Sequence, residues 1–358
     1  MRWKMNHTML RDEGLLSQLR QQWSGWKSKK PWFPNVNIWW DRYVKPRLQR
    51  YMRIWGAERR QDFNIMENHM YTCIYNIQKS AMSPDQKLAA LNRHRAKLVR
   101  LQARRTEPFR LDANERDVMD GEETSLYHLF KSSKRREART IRRIQDRGGR
   151  ITNDTKEIEH IVVTYLTDKY GPIDVADNCI AEVVNVIRSH TQPSCVAYLE
   201  QPIAAEELYT AIMPGGPNKS PGSDGIGREF FLHLWDTIRD DMLQVLNHMY
   251  LNKSTTRRQQ HGIIFSLPKN NGVFTPAGYR SISLMNTDYK LLARIMARHL
   301  TPVLEEHLTS GQYCSVPGRS ILEAVSVIRD VVAHAELTRT HVCFLSLDFR
   351  NAFDRVSY

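Results

Sequence analysis

Residues 340–358 read THVCFLSLDFRNAFDRVSY, and the rest of the chain is best read against them. Val342 to Leu347 is an apolar, β-favouring run of the kind that forms a buried strand. Asp348 falls at the end of that run. A carboxylate at the tip of a buried strand is costly unless it is paired or binds a metal. A hard cation such as Mg²⁺ takes oxygen ligands, which a strand-end Asp and a neighbouring backbone carbonyl supply. Asp354, six residues on, reads equally as a helix cap or a surface carboxylate.

Upstream, HGIIFSLPKNNGVFTPAGYRSISLMN (residues 261–286) reads as two short strands. They run from Ile263 to Leu267 and from Tyr279 to Leu284, with Asn270-Asn271-Gly272 as the turn signal between them. Lys269 and Arg280 fall at the inner ends of this hairpin. Two cations held there could grip the phosphates of a nucleotide; they could equally be two exposed loop cations. The next segments are an amphipathic helix over 288–308, a turn-rich loop, SGQYCSVPGRSI, and a helix over 322–337.

The loop PGGPNKSPGSDGIG (residues 214–227) holds five Gly and three Pro. Such backbone makes tight turns and admits close approach. It is not a nucleotide-binding P-loop, because Asn218 stands before Lys219 where that motif needs Gly. A helix is expected over 228–252. It contains Asp240-Asp241, but adjacent helical residues do not share a face, since only i, i+3 and i+4 positions do. The pair therefore reads as an exposed acidic turn rather than a metal site.

Further upstream, helices are expected over about 82–110 and 153–171. The first has Ser83 and Pro84 at its start and leucines at 88, 91, 98 and 101. The second has Asn153, Asp154 and Thr155 as cap candidates. A short helix is expected over 203–213.

Charge divides the chain. Residues 1–150 hold 33 Lys+Arg and 16 Asp+Glu, while residues 151–358 hold 19 and 23. The whole-chain excess of +13 thus belongs to the N-terminal part, and a polyanionic partner suits it. Lys131 to Arg150 is the densest basic stretch, either a solvated surface or a phosphate contact. Seven of the eight tryptophans (3, 23, 26, 32, 39, 40 and 55) lie among these cations. They are either core residues or rings on which unpaired bases stack. The five scattered cysteines form no CxxC pair and favour a reducing compartment. The N-terminal residues hold no secretory signal and the sequence no membrane-length apolar run. The expectation is a soluble protein of nucleus or cytoplasm with no membrane partner.

Five segments in order, KSPGSDGIGREFF, IIFSLPK, YRSISLMNTDYKLLARIMARHL, GQYCSVPGRSI and SLDFRNAFDRVSY, resemble the fingers and palm motifs of reverse transcriptases of non-LTR (LINE-type) retrotransposons. Residues 125–173 resemble the region before the fingers in that family, and WKMNHTML resembles the tail of its endonuclease domain. The resemblance implies an α+β chain, a mostly helical N-terminal region followed by a partial right-hand polymerase of fingers and first palm strand. It implies three regions: 1–20 from the endonuclease tail, 21–150 as a basic helical extension, and 151–358 as the reverse transcriptase domain.

It further implies an RNA template, a DNA primer, deoxynucleotides and Mg²⁺ as partners. Asp348 would be the first metal-binding carboxylate, and Phe349 would lend its backbone carbonyl. Phe353 would be the steric gate that rejects a ribose 2′-OH. Lys269 and Arg280 would contact the triphosphate. Ser281 departs from the family, which usually has Pro after that Arg. The family's later Tyr-x-Asp-Asp sequence does not occur in the 358 residues, so the chain is expected to be an inactive fragment of a polymerase. A noncatalytic RNA-binding protein built on the basic half is the alternative.

Overall fold

The computed structural model describes residues 3–112, 140–172, 177–186, 192–214, 219–269, 274–314 and 316–347. The described residues are mostly helical, and their strands form two separate two-stranded antiparallel sheets. The chain divides into two compact units. One comprises Met1–Ile141, Ile203–Asn271 and Tyr279–Leu291, the other Arg142–Pro202, Gly272–Gly278 and Leu292–Tyr358.

The first unit opens with a 3-10 turn at His7–Arg11 and helix α1 (Glu13–Lys27). Asp12 caps α1, its side chain accepting from the Leu15 amide at 3.1 Å, so that an otherwise orphan donor is satisfied. A π-helical turn at Trp39–Val44 leads into α2 (Lys45–Lys79). Pro46 sits in the first turn of α2, where its missing N–H costs nothing. Helix α3 (Pro84–Asp112) begins where Ser83 and Pro84 predict.

A short connection folds α3 back antiparallel on α2. The two helices pack together, and their half-buried positions include Phe63, Glu67, Met70, Ile74 and Ile77 of α2 and Lys87, Leu91, His94, Leu98 and Leu101 of α3. Both sets follow heptad spacing, which makes the pair a short coiled coil. The Gln102 amide donates to the Glu67 carboxylate across it at 3.0 Å.

The remainder of this unit holds α7 (Ala205–Ile212), α8 (Arg228–His233), α9 (Trp235–Leu251) and α10 (Arg257–Gln260), counted after three helices of the second unit described below. The helix expected over 228–252 is in fact two, broken at Leu234, whose backbone leaves helical values (φ −107°, ψ 13°). The break lets Phe230 and Phe231 enter the core along with Ile238 and Met242. Trp23 lies at the centre of that core, its ring 5.9 to 6.4 Å from those of Trp26, Trp39, Trp40 and Phe230. Three buried indoles keep acceptors: Trp23 on Asp241 at 2.8 Å, Trp39 on the Trp26 carbonyl at 3.0 Å and Trp40 on Asp288 at 2.9 Å. Large amphipathic rings need such partners once desolvated.

Asp241 corrects the sequence reading of an exposed acidic pair. Asp240 is exposed, but Asp241 is buried and also pairs with Lys30. Neighbouring helical positions project to different faces, so one carboxylate of the pair faces water and the other faces the core.

In the second unit a small hairpin pairs β1 (Ile144–Gln145) with β2 (Ile151–Thr152). Gly149 at its turn has φ +86°, which only glycine adopts without strain. Helix α4 (Thr155–Tyr170) follows, with Asp154 capping the amides of Lys156 and Glu157 at 2.9 Å, as the sequence predicts. Helices α5 (Asp177–Val186) and α6 (Pro193–Leu199) complete this stretch.

The hairpin predicted over 261–286 forms. Strand β3 (Ile263–Pro268) pairs antiparallel with β4 (Tyr279–Leu284), Leu267 opposite Arg280 and Ser266 opposite Ser281. Helix α11 (Thr287–His307) follows β4, and α12 (Ile321–Thr338) follows the turn-rich loop.

The strand expected at 342–347 is absent. These residues carry no regular structure, and Phe344, Leu345 and Leu347 are exposed. An isolated apolar run has no ladder to complete, and no other described strand pairs with it.

Candidate functional site

The hairpin β3–β4 holds two of the predicted site residues. Lys269 lies one residue beyond β3, and Arg280 lies in β4 opposite Leu267. Both are exposed. Side chains alternate along a strand, and opposite residues of an antiparallel pair share a face. Arg280 therefore shares a face with Leu267. The structure thus brings the two cations to one end of the hairpin. Asp348, Phe349 and Phe353 lie outside the described residues, as do residues 131–139 of the basic stretch.

What fixes the chain leaving β4 is a buried polar cluster that the sequence does not announce. Lys45, at the start of α2, places its ammonium 2.7 Å from Asp288, 3.0 Å from Asp224 and 3.4 Å from Asp41. All four residues are buried. Burial acts to depress the Lys45 ammonium, but Asp288, Asp224 and Asp41 outweigh it and hold the group above the ordinary lysine value. Burial also acts to raise Asp288. The Lys45 charge, the Trp40 indole and the Gln259 amide overcome that, so its carboxyl stays below the usual range. Asp224 goes the other way, pushed up by burial more than Lys45 pulls it down.

Neutral groups complete the cluster. Thr256 donates to Asp41 at 2.8 Å, and Gln259 donates to Asp288 at 3.1 Å and to Asn37 at 2.7 Å. Asn286 accepts from the Asp224 amide at 3.0 Å and donates to the Arg258 carbonyl at 2.9 Å. Thr287 donates to the Ile226 carbonyl at 2.7 Å.

The glycine-rich loop is built into this cluster. A Cβ on Gly222 would stand 2.2 Å from the Asn286 backbone nitrogen, so the two backbones meet where only glycine fits. Gly225, at φ +72°, lies against Trp3, and its carbonyl accepts from the Met5 amide at 2.9 Å. Sequence reasoning anticipated close approach in this loop, but not the residues that approach it.

Among the described residues no group of three or more His, Cys, Asp or Glu could hold a metal ion, and the three buried aspartates already surround an ammonium. In the second unit, a groove of about 870 Å³ lies between the β1–β2 turn, α4 and residues 275–277. Its charges offset one another, Arg147 pairing with Asp168. No described helix is long and apolar enough to cross a membrane.

Residues 267–358 match the family described as reverse transcriptase (RNA-dependent DNA polymerase). The match begins in β3 and takes in Lys269, Arg280 and Asp288. The chain is a relative of the reverse transcriptases of non-LTR retrotransposons. An uncharacterized 149 kDa protein of transposon TX1 from Xenopus laevis is 27% identical over 99% of this chain. The Pol polyprotein of the type-1 retrotransposable element R2 from Popillia japonica is 27% identical over 44% of it. A probable RNA-directed DNA polymerase from transposon BS of Drosophila melanogaster is 23% identical over 65% of it. The alignments cover 27%, 21% and 26% of these three proteins, so this reverse-transcriptase relative spans about a quarter of their length. Asp288 falls inside the matched region while Lys45 lies far upstream of it, and the pair ties the two together.

Proposed function

We propose that this chain is part of an RNA-directed DNA polymerase that extends a DNA 3′-OH along an RNA template. The carrying observation is the match of residues 267–358, which begins at a hairpin whose two exposed cations share one end. In this reading residues 1–20 derive from an endonuclease tail and 21–150 form a basic extension. Residues 151–358 supply the fingers and the start of the palm. Lys269 and Arg280 bind the triphosphate of a deoxynucleotide, spreading its charge over two donors. Phe353 serves as the steric gate against a ribose 2′-OH. Asp348 and the Phe349 carbonyl would hold Mg²⁺, which would supply positive charge against the phosphates. The sequence supplies this one carboxylate and no Tyr-x-Asp-Asp, so the 358 residues by themselves bind substrates without extending the primer.

The test is deoxynucleotide binding by the chain with RNA template, DNA primer and Mg²⁺. Lys269→Ala and Arg280→Ala should each weaken binding by roughly ten-fold, the size of one charged hydrogen bond. Equal affinity in both variants would remove the hairpin from the site. Primer extension that disappears in Asp348→Ala would overturn the inactivity of the isolated chain while keeping the family chemistry.

A further inference from the structure

We propose that the surface around Trp32 is a stacking platform for unpaired RNA. The structure separates the tryptophans that the sequence leaves mixed. Trp23, Trp26, Trp39 and Trp40 are core residues, and Trp3 and Trp55 are half-buried. Trp32 alone of the seven is 76% exposed, and its indole lies 4.2 Å from the Lys29 ammonium. The next residue, Phe33, sets its ring 5.0 Å from that of Tyr43. The Arg47 guanidinium covers Tyr43 at 3.5 Å and donates to the Tyr43 carbonyl. Tyr43 belongs to the π-helical turn at Trp39–Val44, and such turns are frequent at functional sites.

Charge distinguishes this surface from an ordinary apolar patch. Residues 28–50 contain six Lys or Arg and one acid, Asp41. Asp41 turns inward to Lys45 and Thr256, and the nearby Asp241 turns inward to Trp23 and Lys30. Lys29 and Arg47 lie against the rings, and among the described residues no carboxylate pairs with either. An exposed indole with cations beside it fits a strand whose bases are open and whose phosphates need neutralising. A duplex offers the phosphates but not the base faces. That the strand is RNA rests on the proposed function, in which an RNA template must be held.

The experiment is fluorescence anisotropy of a labelled unstructured RNA against the whole chain, with a hairpin RNA and an unpaired DNA of equal length as comparisons. Trp32→Ala should weaken binding of the unpaired RNA by about ten-fold, while Trp32→Phe keeps a ring and stays within about three-fold of wild type. Arg47→Ala should lower the salt slope by about one phosphate contact. Binding should also quench the exposed Trp32 fluorescence, and Trp32→Phe should lose that quenching. If wild type binds RNA and both alanine variants bind it equally well, the platform is wrong and the template reading stands. Equal affinity for the hairpin, or a preference for DNA, overturns the assignment to unpaired RNA. If wild type binds no RNA, both proposals fall.

Discussion

Lys45 and Asp288 meet at 2.7 Å in the interior, one at the head of α2 and the other in the first turn of α11. The pair joins the basic N-terminal region to the segment that matches the reverse transcriptase family. Lys45→Met would leave Asp41, Asp224 and Asp288 buried without a cation. Breaking one side of a buried ion pair costs about 3–5 kcal/mol, and urea unfolding should show a loss of that order. A loss below about 1 kcal/mol would mean that the cluster relaxes or takes up a proton without difficulty.

The same cluster sets a pH dependence. The Asp288 carboxyl is held below its ordinary value, so its contribution is present above about pH 4 and is lost as pH falls through the lower folded value. Asp224, held above its ordinary value, works in the opposite sense, its contribution being lost as pH rises through the folded value. In Lys45→Met no cation remains to hold Asp288 down, so burial raises its carboxyl too. The stability gap between wild type and variant should therefore narrow as pH falls from 7 to 4, read from urea midpoints. A gap that widens on acidification would contradict the assigned roles.

Gly222 and Gly311 make a matched pair. A Cβ on Gly222 meets the backbone of Met285 and Asn286 at 2.3 and 2.2 Å, whereas one on Gly311 meets nothing within 4 Å. Gly222→Ala should destabilise by about 1–3 kcal/mol or more, because backbone cannot swing aside as a side chain can. Gly311→Ala should change little. Similar unfolding midpoints for the two variants would show that the loop gives way.

Local signals made much of the fold legible. Asp154 capped the predicted helix, Ser83 and Pro84 marked the start of α3, and β4 formed over the residues expected for it. Of the spaced leucines of α3, Leu91, Leu98 and Leu101 lie on its half-buried face and Leu88 is exposed. The Lys45 cluster was not, because its members come from four distant segments and a lone lysine in a basic region looks like surface. The tryptophans were ambiguous for a related reason: stacking rings and core rings have the same composition, and only burial separates Trp32 from Trp23. The run at 342–347 failed as a strand because strand formation needs partners that no local pattern supplies.

Asp240 and Asp241 test how far burial alone decides the weight of a residue. They are adjacent and identical in chemistry, yet Asp240 is exposed beside Arg239 while Asp241 accepts the Trp23 indole N–H at 2.8 Å and pairs with Lys30. Asp240→Ala loses a solvent-screened contact and should change stability by less than about 0.5 kcal/mol. Asp241→Ala strands the indole donor at the centre of the aromatic core, where an unmet hydrogen bond costs about 1–3 kcal/mol. Asp241→Asn keeps an acceptor for Trp23 and removes the charge facing Lys30, so it should fall between the two. Denaturant unfolding of the three variants orders them. A result in which Asp240→Ala costs as much as Asp241→Ala would place the first carboxylate in a contact with more weight than its exposed pair with Arg239.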